Sequence, residues 1–165
     1  MKVTVIVPSK GCNYINYALS ALRSQTRNFH ETNLIAKGCD IKGVKNLCHK
    51  LSLRCVVLEQ PSRFFTHALN LGKRNATGDL MLFTDDDVIP LPKWIEKYIK
   101  LHLAYPWVAG IANRDIYLDL RKMRLRPAPD DKLPTKLYRW AVRAWLDRPH
   151  PLLKNTDLAY TSQKT

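Results

Sequence analysis

The chain lacks any run of about 18 uncharged apolar residues, which excludes a membrane-spanning helix. It also lacks a signal-peptide layout, because the apolar stretch after Lys2, Val3-Thr4-Val5-Ile6-Val7, meets Pro8 too soon. The expected location is therefore the cytoplasm. None of the four cysteines, Cys12, Cys39, Cys48 and Cys55, stands in a CxxC pair or at zinc-ligand spacing. In a cytosolic chain such thiols are expected to stay reduced and to serve as small core fillers. His30, His49, His67, His102 and His150 are scattered without metal spacing. Internal repeats and low-complexity tracts are missing as well. Acids are scarce: 14 face 27 lysines and arginines, a net charge of +13. That excess predicts attraction to phosphate-rich partners or anionic membranes without naming one. Aromatics are not interleaved with basic and glycine residues as an RNA-binding sheet requires, so nucleic acid is not an expected partner.

What remains is an ordinary globular composition, 45% hydrophobic and 25% charged over 165 residues, enough for one domain with one core. A β-branched run at 3–7, closed by Pro8-Ser9-Lys10-Gly11, predicts a buried strand and a loop. Ile15, Ala18, Leu19 and Leu22 recur at helical spacing within 13–25. The rhythm continues with strands at 33–36 and 54–58, helices at 44–51 and 64–76, and a buried strand at 80–84. A helix over 92–105 opens at Pro92 and stops before Pro106, and a further strand is expected at 107–112. Strands alternating with helices predict an α/β fold, an open, mostly parallel sheet with helices on both faces. Beyond Asp115 the composition turns basic around Arg121, Lys122, Arg124 and Arg126, and an amphipathic helix carrying Trp140 and Trp145 is expected over 136–146.

The most informative stretch is Leu80-Met81-Leu82-Phe83-Thr84-Asp85-Asp86-Asp87. An apolar strand there delivers three adjacent carboxylates to the carboxyl edge of a parallel sheet, where open α/β sheets bind ligands. Their mutual repulsion is relieved by a divalent cation that prefers oxygen, such as Mg²⁺ or Mn²⁺. The alternative is a solvated acidic turn ahead of Pro90.

Further motifs stand in a fixed order: Val3-Thr4-Val5-Ile6-Val7-Pro8-Ser9-Lys10, Tyr17-Ala18-Leu19-Ser20-Ala21-Leu22-Arg23-Ser24-Gln25-Thr26, His67-Ala68-Leu69-Asn70-Leu71-Gly72, Ala76-Thr77-Gly78-Asp79 and Phe83-Thr84-Asp85-Asp86-Asp87. Together they resemble the nucleotide-sugar-binding half of a family 2 glycosyltransferase with the GT-A (Rossmann-like) fold. The resemblance runs over about residues 1–112, leaving 113–165 as a reduced, basic, acceptor-side segment of the same domain. It implies that Asp85 and Asp87 are the carboxylates of the Asp-x-Asp motif. Asp87 would hold the Mg²⁺ or Mn²⁺ on the diphosphate, Asp85 would face the ribose or the metal, and Asp86 would lie against the nucleotide sugar. Pro8 and Ser9 would line the base and ribose pocket, with Arg63 and Asn70 as further nucleotide contacts. Arg63 also reads as an exposed turn residue, and Asn70 with Gly72 as tight packing of helix on sheet.

The departures are specific. Where relatives carry an acid after the second strand, this chain reads Ala36-Lys37-Gly38-Cys39-Asp40. Asp40 could reach the base from a shifted position, and Lys37 could meet a carbonyl or phosphate or simply face solvent. The chemistry implied is inverting transfer, in which a carboxylate base deprotonates the acceptor hydroxyl while the metal steadies the departing diphosphate. At the stretch where relatives hold that base, this chain reads Lys154-Asn155-Thr156-Asp157-Leu158. The two leading acids are replaced, which leaves Asp157 as the catalytic candidate or as a helix-capping surface residue. Lys136-Leu137-Tyr138-Arg139-Trp140 is similar to the Gln-x-x-Arg-Trp motif of processive members but falls too early.

The acceptor expected is a glycan, a lipid-linked group or a protein. The basic segment offers a peripheral contact with anionic headgroups at the inner membrane face. The competing reading is a protein that binds nucleotide sugars or polyanions without transferring them. A phosphotransferase of the haloacid-dehalogenase kind fits poorly, because Val88-Ile89 follow Asp87 and the aspartates lie far from the N-terminus.

Overall fold

The computed structural model describes residues 1–60, 64–112, 117–119 and 124–126. Arg63, Asp157, the 136–146 helix and the Lys136 to Trp140 motif lie outside the described residues. Close contacts divide the chain into two units, Met1–Trp107 and Val108–Thr165.

In the first unit β1 (Val3–Lys10), β2 (Glu31–Lys37), β3 (Cys55–Glu59) and β4 (Leu80–Phe83) form one sheet in the order β3-β2-β1-β4. Every neighbouring pair is parallel. β1 is central because Val3 through Ser9 are all buried, as a β-branched apolar run between two helix layers must be. The connecting helices are α1 (Ile15–Arg23), α2 (Ile41–Lys50), α3 (Phe65–Arg74) and α4 (Trp94–Ala104). Alternation along the strands sorts the core into two layers. Val3, Val5, Val7, Leu34 and Ala36 meet Leu19 and Leu22 of α1, Val44 and Cys48 of α2 and Ile95 of α4. Ile6 and Ile35 point the other way, onto Ala68 and Leu71 of α3. The expected α/β architecture, with helices on both faces, is what forms.

Two glycines let other parts of the first unit come close to the sheet. A Cβ on Gly72 would lie 2.5 Å from Ile6 Cγ2 and 2.8 Å from Ile35 Cδ1, so α3 rests on the sheet only because that atom is missing. A Cβ on Gly78 would come 2.6 Å from the backbone nitrogen of Thr4.

β1 continues to Lys10, three residues past its expected end at Val7, because Pro8, Ser9 and Lys10 still pair with β2 and the turn comes only at Gly11. Four further expectations need correction. β2 starts at Glu31 instead of residue 33, because the Glu31 carboxylate finds partners inside the fold. Glu31 is 2% exposed, and its Oε1 accepts hydrogen bonds from Thr4 Oγ1 (2.9 Å), the Thr77 amide (2.9 Å) and Thr77 Oγ1 (2.7 Å). Burial alone would raise its pKa, but those bonds, helped by nearby His30, hold the carboxyl below the ordinary glutamate range. Second, α2 starts at Ile41 instead of residue 44, with Asp40 at the position before its first turn. Third, residues 107–112 form no strand. Val108 and Ile111 are separated there by Ala109 and Gly110, which favour no pleated surface, and Trp107 is 71% exposed.

Fourth, the cysteines are not free thiols: Cys12 is bonded to Cys39 and Cys48 to Cys55. Spacing along the chain hides the first pair, but parallel pairing reveals it. Lys10 stands opposite Lys37 in the sheet, so the residues two positions beyond each strand's end, Cys12 and Cys39, meet with Cα atoms 5.5 Å apart. The second pair closes the short turn from α2 into β3.

The second unit holds an antiparallel pair, β5 (Tyr117–Asp119) with β6 (Arg124–Arg126), in which Leu118 is in register with Leu125. Sequence patterning did not anticipate it, since three-residue strands carry too few positions for a period of two to register. Among the described residues no helix is long and apolar enough to cross a membrane.

Candidate functional site

The four parallel strands point their carboxyl ends to one edge, and the candidate residues after β1, β2 and β4 leave the sheet there. β4 has only four residues, and its pairing with β1 stops at Ile6↔Phe83. The Thr84 amide makes one last bond to the Ile6 carbonyl (3.1 Å) before the chain turns. Ile6 and Pro8 share strand parity, so the backbone nitrogen of Pro8 faces the space beyond the end of β4. Proline's missing N–H therefore costs no ladder bond in this central strand. The same early exit brings the acidic turn alongside Ser9.

Asp85, Asp86 and Asp87 form that turn, closed by a hydrogen bond from the Val88 amide to the Asp85 carbonyl (3.3 Å). Asp85 and Asp87 are exposed and Asp86 is half-buried. Ser9, only 6% exposed, donates its hydroxyl proton to Asp86 Oδ2, and Cys12 Sγ lies 3.4 Å from the same hydroxyl. The middle carboxylate is thus tied to the β1 end, while the outer two are presented to solvent.

The loop after β1 passes through Gly11 and Cys12, both in the left-handed region at φ +78° and +56°. The Gly11 amide bonds the Lys37 carbonyl (2.8 Å), and the Cys12–Cys39 bridge adds a covalent link between the same two loops. This clamp is the feature of the site that sequence reading missed. The sequence carried no signal for it, since the expected strand ends at residues 7 and 36 leave Cys12 and Cys39 five and three residues beyond, and only the observed ends at Lys10 and Lys37 make the spacing equal. Asp40 lies exposed on this edge, its carboxylate over Gly43, where an added Cβ would come within 2.5 Å of Oδ2.

Asn70 is exposed on α3, and no hydrogen bond joins it to the acidic turn among the described residues. The packing alternative for its neighbour Gly72 is realised, as the contacts with Ile6 and Ile35 show. His67, on the same helix, is half-buried with no hydrogen-bond partner for Nδ1 among the described residues. The structure thus brings Ser9, Asp86 and the Cys12–Cys39 loops together at one edge, with Asp85 and Asp87 beside them.

Chemically, Asp85 and Asp87 offer hard oxygen donors at a solvent-open edge. No three acidic, histidine or cysteine side chains converge among the described residues, so these residues supply no cage of their own there. Two solvent-exposed carboxylates suit an octahedral cation that keeps several waters and takes its other ligands from phosphate oxygens. The donor set therefore fits Mg²⁺ or Mn²⁺.

The chain matches the sequence profile described as glycosyl transferase family 2 over residues 4–151, and it belongs to that family. Among solved structures it is similar to S. aureus TarS at 23% identity and a TM-score of 0.55, over 72% of this chain and 21% of that one. It is also similar to S. aureus TarS 1–349 in complex with UDP-GlcNAc, at 18% identity and a TM-score of 0.54, over 70% of this chain and 36% of that one. A mycobacterial protein aligns at 19% identity and a TM-score of 0.52, over 92% of this chain and 48% of that one. These likenesses establish the GT-A fold. The chain spans less than half the length of each of these structures. No curated protein matches it.

Proposed function

We propose that this chain is the donor-binding part of a glycosyltransferase that takes a sugar from a nucleotide-diphosphate sugar and passes it, with inversion, to an acceptor hydroxyl. The observation that carries the reading is the acidic turn at the carboxyl edge, with Asp86 fixed by Ser9 and Asp85 and Asp87 exposed to solvent. Family membership and the UDP-GlcNAc complex of TarS 1–349 support a nucleotide-sugar donor. Asp87, with Asp85, holds a Mg²⁺ or Mn²⁺ ion, which when bound offsets the charge of the diphosphate. Pro8 and Ser9 shape one wall, and the Cys12–Cys39 link keeps the loops after β1 and β2 in register for the base and ribose. Asp40 meets the base from the β2 side, and Arg63 and Asn70 supply further nucleotide contacts. Asp157 is the candidate base that accepts the proton of the acceptor hydroxyl. The acceptor class stays a glycan, a lipid-linked group or a protein.

Calorimetry of the purified chain against UDP and GDP, with Mn²⁺ and with chelator, tests this. Metal-dependent binding is expected in the wild type, with a loss of at least tenfold in Asp87→Ala, roughly one charge-assisted interaction removed. Equal binding by wild type and variant would overturn the site. The second reading, binding without transfer, is favoured by Lys154 and Asn155 where the two leading acids are expected. Sugar transfer by the purified chain that disappears in Asp157→Asn would reject it.

A further inference from the structure

A cavity of about 320 Å³ opens in the first unit at the amino edge of the sheet, opposite the acidic turn. It lies between the end of α1, the connection into β2 and the turn that leads into β3. Three arginines, Arg23, Arg27 and Arg54, all exposed, line it together with half-buried His30 and Phe29. The only acid in the lining is Glu31, whose Oε1 is already engaged by Thr4 and Thr77. Among the described residues the single ion pair joins Lys100 to Glu96, so no carboxylate pairs with these arginines.

Arg23 closes the last turn of α1, where a cation answers the carbonyl end of the helix. Arg27 and Arg54 stand outside any helix, so that explanation does not reach them. Arg54 Nη1 lies 3.4 Å from His30 Nε2, which limits where its planar fork can swing. Half-buried Phe29 adds an apolar wall. The volume sits at the small end of ligand pockets, enough for a phosphate group on a compact body and too little for a nucleotide sugar.

We propose that this cavity is a second, separate anion site that binds a phosphate monoester through Arg27 and Arg54, with Arg23 adding charge at its rim. Guanidinium forks match phosphate oxygens in pairs, which lysines elsewhere on this basic surface do not. The proposal is independent of the donor-site reading, since the two sites lie at opposite ends of parallel strands.

The test compares wild type, Arg27→Gln/Arg54→Gln and a charge-matched control, Lys42→Gln/Lys45→Gln, whose lysines are exposed on α2. Calorimetry uses inorganic phosphate and a hexose 1-phosphate. Vesicle sedimentation uses phosphatidylcholine with and without phosphatidic acid. Saturable binding that weakens by about tenfold or more in the arginine variant and survives in the lysine control supports the site. Binding of the soluble probes identifies a small phosphorylated ligand, and binding confined to phosphatidic acid vesicles identifies a lipid headgroup. Equal weakening in both variants would mean diffuse attraction to the +13 surface and would overturn the proposal, as would an absence of saturable binding to every probe.

Discussion

Glu31 carries its charge to a position almost closed to water, and three hydrogen bonds on one oxygen make that tolerable. Because its folded pKa is depressed, its contribution is complete above the unfolded value of about 4.3 and is lost as pH falls through the folded one. Urea unfolding of the wild type should therefore show stability dropping on the acid side of that value. Glu31→Gln should flatten this drop and cost about 1–2 kcal/mol at neutral pH, since a neutral acceptor replaces an ionised one. The variant matching wild type at both pH extremes would contradict this account. Gly78 is as demanding for a different reason. Its neighbour is the Thr4 backbone, which cannot swing aside as a side-chain end can, so Gly78→Ala should destabilise by about 1–3 kcal/mol in the same assay. Glu31 did not stand out in the sequence, and Gly78 did so only as part of the Ala76-Thr77-Gly78-Asp79 motif, not for its packing. A glutamate before an apolar run reads as loop, and nothing in the sequence alone puts residues 4, 31 and 77 together.

At the scale of elements, the short β4 matters most, because its early exit from the sheet sets the acidic turn beside Ser9. Strand, helix and loop order were legible from periodicity: α1, α3 and β4 lie where apolar spacing puts them, within about two residues at each end, while β1 runs three residues past its expected end, to Lys10. The pairing of loops was not legible. Cys12 and Cys39 look unrelated along the chain and become neighbours only once β1 lies parallel to β2. Closing a loop of 27 residues should stabilise the fold by about 3–4 kcal/mol, against about 2.5 kcal/mol for the Cys48–Cys55 loop of seven. Guanidinium unfolding of Cys12→Ser/Cys39→Ser and Cys48→Ser/Cys55→Ser should rank the two in that order. UDP affinity should fall in the first pair and hold in the second, because only the first bridges the edge that carries the acidic turn. The reverse ranking in affinity would separate the clamp from the site.

For the whole molecule, every residue of the described buried core precedes Trp107, which gives the first unit a core of its own. A chain ending at Trp107 should thus unfold cooperatively and keep metal-dependent UDP binding while losing any sugar transfer. Failure of that fragment to fold would tie the core to the second unit. The sequence by itself determined the order of strands and helices, the central burial of β1 and the acidic end of β4, because apolar periodicity and a run of three like charges are local properties. It also carried the family resemblance, which rests on ordered motifs. Only the tertiary structure decided which of the three aspartates is tied to Ser9, that the cysteines are paired, and that three arginines from separate segments border one cavity. The Ser9–Asp86 bond and the Cys12–Cys39 bridge join residues 77 and 27 positions apart, and no local pattern records which strands lie side by side.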